Sequence, residues 1–274
     1  MSTSLSNILS DHVISGDFQK QYVSADPYPH IVFDDFLRPE IIREVCNEFP
    51  SDGEYIDFKS GYAGNLKKAF KPEVARGSAA WELFSMMQHP EFLNFLERLT
   101  GIEGLIPDPY YEGGGFHQTS RGGKLGIHAD FRIHRKLNLS RRLNIIIYLN
   151  QKWDNSWGGG LEIWDRHAKN CVKTVEPIFN RAVIFNTDAT SYHGHPRELN
   201  CPPDFARKSI ALYYYTASKS IYVEIPNNNT NYVNDGSLSL RENFSTKVKY
   251  FVWKLIPPLF VEWIERAKGG KSAD

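Results

Sequence analysis

Short runs of strand-forming residues dominate the chain from about residue 105 onward. Each run is rich in β-branched or aromatic residues, and turn-forming stretches such as DNSWGGG and NCPPD separate them. The clearest runs are residues 142–150 (RLNIIIYLN), 160–164 (GLEIW), 172–186 (VKTVEPIFNRAVIFN) and 208–216 (KSIALYYYT). A series of this kind predicts a β-sandwich or a β-barrel and disfavours a helical bundle.

Two segments before these runs carry the apolar periodicity of helices. In residues 40–49 the apolar positions repeat at helical spacing after Pro39, near the first turn. Residues 81–99 also predict helix, with a break at His89-Pro90 because the residue before a proline avoids the α region, and with an end at Gly101. We therefore expect a mainly β domain with N-terminal helices packed on one side of its sheet.

Charge, cysteine content and apolar runs limit the partners and the cellular compartment that are expected for the chain. The chain has 32 basic and 32 acidic residues, so its net charge of zero gives no attraction for nucleic acid, and no nucleic-acid partner is expected. Its 3 cysteines are widely spaced, which indicates neither a disulfide framework nor a zinc knuckle. The N-terminus lacks the pattern of a signal peptide, and no apolar run approaches the roughly 18 residues of a membrane span. Cytoplasmic localisation is the resulting expectation.

His128 and Asp130 form the first candidate site, in the stretch KLGIHADF (124–131). Side chains two residues apart in a strand point the same way, so an imidazole and a carboxylate would converge. His193, which follows the strand-like run RAVIFN, would supply a third ligand, and His195 is its rival on the same face. Two histidines and one carboxylate on one side of a metal leave open positions for a chelating co-substrate and O₂, as in non-haem Fe(II) centres.

A second group of residues suits a carboxylate ligand. Arg207 and Ser209 would share a face of one strand, where the guanidinium binds a carboxylate bidentately and the hydroxyl adds a donor. Tyr148 is a polar-tipped aromatic residue within an apolar run and could donate its hydroxyl to the same carboxylate. Asn144 would lie on the same face as Tyr148, which leaves it either lining this pocket or in an ordinary polar position.

The motifs HAD, SYH and RKS, together with YLNQKW and the Gly-rich turn before LEIW, make residues 28–216 resemble the 2-oxoglutarate- and Fe(II)-dependent dioxygenases. Within that superfamily the chain is most similar to the prolyl 4-hydroxylase-like branch. The resemblance implies a double-stranded β-helix, or jelly roll, with N-terminal helices packed on the major sheet. It implies His128, Asp130 and His193 as iron ligands. His193 is favoured over His195 because the ligand histidine of the family stands in a Ser-x-His pattern. The resemblance also implies that Arg207, assisted by Tyr148, binds the C5 carboxylate of 2-oxoglutarate.

The function that the resemblance implies is hydroxylation of a C–H bond with release of succinate and CO₂. Fe(II) would be the metal, 2-oxoglutarate and O₂ the co-substrates, and ascorbate a further candidate cofactor. A prolyl residue in a peptide, a free amino acid and a small metabolite all fit as substrate, and Asp130 favours hydroxylation over halogenation. Two alternatives stay open: a catalytically silent jelly roll that binds a partner, and a cupin-type metalloenzyme that uses no keto acid.

One domain with an extension at each end is expected. Residues 1–27 form an N-terminal extension, residues 28–220 the dioxygenase domain, and residues 221–274 a partly helical C-terminal extension. The last part, residues 247–271, is basic and aromatic, with Pro257-Pro258 between two short predicted helices. It could dock on its own domain, on a second subunit or on a membrane surface.

The loop that follows Asp130 carries three basic side chains. Arg132, His134 and Arg135 lie there, near the expected mouth of the pocket. Solvated loop positions are favoured for them over contact with an acidic or polar substrate.

Overall fold

The structure is a computed structural model, and it describes residues 4–50, 55–58, 64–217 and 230–233. The chain divides into two units, Met1–Asp235 and Gly236–Asp274, and the described residues lie in the first. The predicted helices within residues 247–271 and the docking role of that segment fall outside the described residues. The architecture below therefore concerns the first unit alone.

Helices and strands alternate little along the chain, because most helices precede most strands. In the described ranges the α-helices are α1 (Asp11–Ser15), α2 (Gln19–Val23), α3 (Pro39–Asn47), α4 (Ala79–Gln88) and α5 (Pro90–Thr100). The strands there are β1 (His30–Phe33), β2 (Tyr55–Phe58), β3 (Gly64–Phe70), β4 (Ile106–Pro107), β5 (Gly115–Ala129), β6 (Leu139–Tyr148), β7 (Leu161–Trp164), β8 (Cys171–Val175), β9 (Ala182–Asn186), β10 (His193–His195), β11 (Ala206–Ala217) and β12 (Asn231–Tyr232).

The strands form one antiparallel sheet that rolls up into a nearly closed barrel. Its order is β1-β9-β6-β11-β5-β10-β7-β8, with β3 also on β5 and β4 also on β11. The barrel has two layers, a larger one that contains β6 and β11 and a smaller one that contains β10, β7 and β8. β5 belongs to both layers, since it pairs with β11 through 115–120 and with β10 around 125–128. Gly122 lies between these halves at φ +77, a conformation that glycine adopts without strain. The mainly β jelly roll predicted from the sequence is confirmed.

The helices cover one face of the larger layer, as predicted. Apolar residues of α3, α4 and α5 share a core with alternate residues of β5, β6 and β11. Those strand residues are Phe116, Leu143, Ile145, Ile147, Ile210, Leu212 and Tyr214. The intervening residues of β6 point the other way, and Ile146 and Tyr148 belong to a second apolar cluster. Side-chain alternation therefore separates a helix-covered core from the interior of the roll.

Residues assigned to an N-terminal extension contribute to the helix-covered core. Ile8, Leu9, Val13 and Tyr22 are fully buried in it. None of the described helices combines the length and apolar character that crossing a bilayer requires.

The predicted break between two helices occurs at His89. α4 ends at Gln88 and α5 begins at Pro90, while His89 has extended backbone with φ −77 and ψ 146. Gly101 ends α5 in the left-handed conformation, at φ 70.

Because the two faces of β6 have different surroundings, truncation of Ile145 and truncation of Ile146 should lower the free energy of unfolding by different amounts. Ile145→Ala empties a fully buried position against the helices and should lower the free energy of unfolding by about 2–5 kcal/mol. Ile146→Ala, on the partly exposed opposite face, should cost clearly less. Urea denaturation of both variants checks this, and equal losses would contradict the assignment of the two faces.

Candidate metal centre

His128, Asp130 and His193 converge at one end of the roll. His128 is the second-last residue of β5, Asp130 follows that strand directly, and His193 begins β10 opposite His128. The Nε2 atoms of His128 and His193 lie 3.6 and 3.5 Å from the two oxygens of Asp130. One ligand atom from each residue lies within 4.8 Å of the others, close enough to bind a single ion. The structure thus brings together the three residues predicted as ligands.

Both imidazoles are oriented by backbone carbonyls. The Nδ1 atom of His128 lies 2.7 Å from the carbonyl oxygen of Gly126, and that of His193 lies 2.9 Å from the carbonyl oxygen of Ser191. A carbonyl can only accept, so Nδ1–H is the donor in each ring and Nε2 carries the lone pair that ligates a metal. Burial, with the neighbouring His128, lowers the pKa of His193 to about 4, so this ring is neutral at pH 7. The donor set fits Fe(II).

Asp130 is held by two polar side chains on its far side. Asn144 Nδ2 donates to Asp130 Oδ2 at 2.7 Å, and Arg141 Nη2 lies 3.1 Å from the same oxygen. Arg141 also donates through Nε and Nη2 to Asn144 Oδ1, at 2.9 and 2.7 Å. Burial raises the pKa of Asp130, but Arg141 and the two histidines outweigh this effect and hold the pKa well below its usual range. The carboxylate is therefore ionised and fixed, as a metal ligand must be.

Arg141 is a site residue that sequence reasoning missed. Its guanidinium lies against the Tyr213 ring, with Cζ 3.5 Å from the ring centroid, and is buried in the pocket wall. Strict alternation from Asn144 would put Arg141 on the opposite face, but the register of β6 on β11 shifts between Tyr214 and Tyr215. This bulge leaves Arg142 as the extra residue and returns Arg141 to the pocket side. No sequence signal marked the bulge.

Arg207 and Tyr148 meet farther along the same interior. Arg207 Nε donates to the Gly159 carbonyl at 2.7 Å, and Nη2 donates to the Tyr148 hydroxyl at 3.2 Å. Gly159 permits this approach, since a Cβ there would lie 3.1 Å from Arg207 Cδ and 2.6 Å from Leu199 Cδ2. Burial lowers the pKa of Arg207, which stays charged because a guanidinium does not titrate near pH 7. Both partners of Arg207 are uncharged.

One cavity of about 190 Å³ joins the two groups. The three candidate ligands, Arg207 and Ser209 line it. Asn144 lines it as well, although its amide contacts the Asp130 carboxylate and Arg141 and not the Arg207 end. Lys67, which sequence reasoning did not single out, lines the same cavity from β3.

His195 lies in this cavity outside the ligand group. It is 3% exposed, and its Nδ1 atom has no hydrogen-bond partner among the described residues. The group of three residues able to hold an ion contains His193 and not His195.

The prediction that His134 is a solvated loop side chain is wrong. The ring is fully buried, and its Nε2 atom lies 3.1 Å from Asp108 Oδ1. Its Nδ1 atom accepts from the backbone N–H groups of Lys136 and Leu137 at 3.2 and 3.1 Å. His134 therefore closes the loop after Asp130. Arg132 and Arg135 are exposed there, as predicted.

The contacts of Asp130 predict that Asn144→Ala weakens metal binding. Removal of a hydrogen bond that orients a ligand typically lowers metal affinity by about 10–100-fold. Titration of the protein with Mn(II), followed by electron paramagnetic resonance, measures the change, and circular dichroism verifies that the fold is intact. Unchanged affinity would show that Asn144 does not support the metal ligand.

His193 and His195 offer a matched pair. We predict that His193→Ala abolishes binding of Mn(II), whereas His195→Ala retains it within a few-fold, because only His193 faces both His128 and Asp130 at ligand distances. The same titration decides between them. An exchange of the two phenotypes would mean that the third ligand is His195.

Comparisons with known proteins agree with this geometry. The model of the family described as the 2OG-Fe(II) oxygenase superfamily matches residues 114–215, which include all three candidate ligands and Arg207. A mouse (Mus musculus) protein named Prolyl 3-hydroxylase OGFOD1 is 23% identical over 202 residues. That match covers 70% of this chain but only 34% of the mouse protein, so the chain spans about a third of this relative.

Solved structures share the fold. A prolyl hydroxylase from Trichoplax adhaerens, in complex with a hypoxia inducible factor peptide fragment, superposes with a TM-score of 0.54 at 18% identity, over 72% of this chain and 87% of that one. A Pseudomonas putida prolyl-4-hydroxylase gives a TM-score of 0.51 at 16% identity, over 76% of this chain and 100% of that one. At these identities the likeness shows the fold alone. With the family match, it confirms that this chain resembles the 2-oxoglutarate- and Fe(II)-dependent dioxygenase superfamily.

Proposed function

We propose that the protein is an Fe(II)- and 2-oxoglutarate-dependent dioxygenase that hydroxylates a C–H bond of its substrate. The observation that carries this proposal is the shared cavity, which has a His-Asp-His group at one place and a buried, positively charged Arg207 at another. A metal site alone would fit many hydrolytic or structural roles. A metal site together with a buried cation fits a co-substrate that chelates the metal and ends in a carboxylate.

Arg207 calls for an anionic ligand on physical grounds. A buried charge is costly unless an opposite charge and hydrogen bonds compensate it, and the partners of Arg207 are a carbonyl and a phenol. Its hydrogen bonds use Nε and Nη2, so Nη1 has no partner among the described residues. The distal carboxylate of 2-oxoglutarate would supply the missing anion, with Tyr148 and Ser209 as neighbouring hydroxyl donors.

The remaining residues have roles that follow from their contacts. His128, Asp130 and His193 would hold the iron, and Asn144 and Arg141 would keep the Asp130 carboxylate ionised and in place. Bound Fe(II) would supply the O₂ chemistry of the reaction. One oxygen atom of O₂ would enter succinate as 2-oxoglutarate loses CO₂, and the other would be inserted into a C–H bond of the substrate. The walls of the cavity orient the substrate and exclude water from the reacting atoms. Ascorbate remains a candidate reductant for the iron.

The substrate is proposed as a small molecule or a peptide. Two of the similar proteins are named prolyl hydroxylases for position 3 and position 4, so a prolyl residue is one candidate, beside a free amino acid and a small metabolite. The Asp130 carboxylate occupies the position that halogenating relatives leave to halide, which supports hydroxylation. A catalytically silent jelly roll would be expected to lack a ligand or the arginine, and this cavity has both.

Arg207 should control the affinity for 2-oxoglutarate. A hydrogen bond to a charged group contributes about 1.5–3 kcal/mol, so Arg207→Ala should raise the half-saturating 2-oxoglutarate concentration at least roughly tenfold. Lysine should recover only part of this loss, because a point charge does not reproduce the bidentate fork. The measurement is 2-oxoglutarate dependence of succinate release at saturating Fe(II).

Arg197→Ala is the matched control for this substitution. Its side chain is 86% exposed and lies 3.7 Å from Glu162, outside the lining of the cavity. Its removal should leave the 2-oxoglutarate dependence unchanged. A shift in Arg197→Ala with none in Arg207→Ala would mean that a different arginine anchors the co-substrate.

A further inference from the structure

We propose that His134 is a positioning residue for the metal centre, because it holds the loop of residues 131–138 against the loop of residues 108–113 and so fixes the place of the Asp130 carboxylate. This inference rests on the proposed function, since it concerns the metal centre of that function. His134 would act through the backbone of its loop, and not by contact with the metal or the co-substrate.

Asp130 differs from the other two candidate ligands in the way its backbone is held. His128 lies in β5 and His193 in β10, and these two residues are paired across the sheet. Asp130 comes after the last residue of β5 and precedes the loop of residues 131–138, which leads to β6. The position of its backbone therefore depends on that loop more than on the pairing of strands.

The loop folds around the His134 ring. Nδ1 accepts from the backbone N–H groups of Lys136 and Leu137 at 3.2 and 3.1 Å, so the ring proton is on Nε2. The backbone N–H of His134 donates to the Leu139 carbonyl at 2.9 Å, and its carbonyl accepts from the Asn138 N–H at 2.8 Å. Ring and backbone of one residue thus close the loop on itself.

Arg141 connects this closed loop to the Asp130 carboxylate. Its backbone N–H donates to the Arg132 carbonyl at 2.7 Å, and its guanidinium Cζ lies 4.6 Å from the centroid of the Phe131 ring. The same guanidinium lies 3.1 Å from Asp130 Oδ2. A displacement of the loop would therefore move the backbone of Asp130 together with the cation that faces its carboxylate.

Asp108 fixes the closed loop to the loop of residues 108–113. His134 Nε2 donates to Asp108 Oδ1 at 3.1 Å, and both side chains are buried. The two Asp108 oxygens also accept from the backbone N–H groups of Tyr110 and Glu112, at 2.8 and 2.7 Å. Because these bonds set the orientation of the carboxylate, it presents Oδ1 to the histidine at a fixed position.

Both loops reach the cavity. Phe131, the residue after Asp130, and Gly113, at the end of the other loop, line it. The Gly113 carbonyl accepts from the Tyr213 hydroxyl at 2.8 Å, and the Tyr213 ring lies against Arg141. The bond between the two loops therefore sets the position of the cavity wall beside the metal ligand.

Metal affinity separates this role from a purely structural one. Loss of buried hydrogen bonds lowers the free energy of unfolding in either case. A positioning role predicts that the metal affinity of the folded protein falls, while its affinity for 2-oxoglutarate at saturating metal is retained. The proposed anchor of the co-substrate, Arg207, lies in β11 and belongs to neither loop.

Titration of His134→Phe with Mn(II), followed by electron paramagnetic resonance, tests the proposal. Phenylalanine keeps a ring against Tyr215, whose centroid lies 5.3 Å from that of His134, and removes both polar atoms. Loss of a direct contact to a metal ligand lowers metal affinity by about 10–100-fold, and His134 acts one step farther away, so we expect a fall of roughly threefold to tenfold. Calorimetry with 2-oxoglutarate at saturating Mn(II) should give an affinity within a few-fold of the wild type.

Two conservative variants test the contacts of the ring separately. His134→Asn places an amide oxygen near the position of Nδ1, and His134→Gln places an amide N–H near that of Nε2. The first restores an acceptor for the loop backbone, and the second restores a donor to Asp108. Each should recover part of the Mn(II) affinity that His134→Phe loses.

Tyr214→Phe is the matched control. Tyr214 is buried in β11, and its hydroxyl donates to the Met87 carbonyl of α4 at 2.9 Å. The variant loses a buried hydrogen bond that belongs to neither loop. Urea denaturation should show a lower free energy of unfolding in Tyr214→Phe and in His134→Phe, whereas Mn(II) affinity should fall only in His134→Phe.

Four results would refute the positioning role and leave the proposed function intact. They are unchanged Mn(II) affinity in His134→Phe, an equal fall in Tyr214→Phe, an equal fall in the affinity for 2-oxoglutarate, and failure of both His134→Asn and His134→Gln to recover any affinity. Absence of Mn(II) binding by the wild-type protein would instead refute the metal centre, and with it the proposed function.

Discussion

Alternation of side chains along β5, β6 and β11 is the constraint on which both the core and the candidate site depend. These three strands are neighbours, and in each the residues on one face pack against the helices while those on the other line the roll. The helix side is apolar and closely packed, so the register of the strands is fixed by burial. Polar groups on the interior side are then held at set positions. A rigid, well-packed layer thus positions the side chains that would bind metal and co-substrate.

Charge in the interior sets the second constraint. Asp130 is neutralised by Arg141, which stacks on Tyr213 and shares Asn144, so this buried pair is satisfied within the protein. Arg207 has uncharged partners and gains from an anionic ligand. A ligand that binds only the folded state also stabilises it, so metal and co-substrate should contribute to the stability of this interior as well as to its chemistry.

The alternation of side chains along a strand identified some residues of the site from the sequence and missed others. It paired Arg207 with Ser209 correctly, because no irregularity in β11 falls between them, and both line the cavity. It failed for Arg141, since a bulge shifts the register by one residue and only tertiary pairing shows it. Lys67 lies on β3, whose residues GNLKKAF do not form a clear apolar alternation. His134 looked solvated because its buried partner, Asp108, is far from it in sequence.

The central claim is that one cavity holds Fe(II) and 2-oxoglutarate together. Anaerobic titration of the protein with Fe(II) and then 2-oxoglutarate tests this most directly, because a keto acid that chelates the bound iron gives a weak visible charge-transfer band. We predict that the band appears only when both are present and is lost in His193→Ala. This titration separates a dioxygenase from a silent jelly roll and from a cupin-type enzyme that uses no keto acid. Binding of both ligands with no band, or a band that persists in His193→Ala, would contradict the claim.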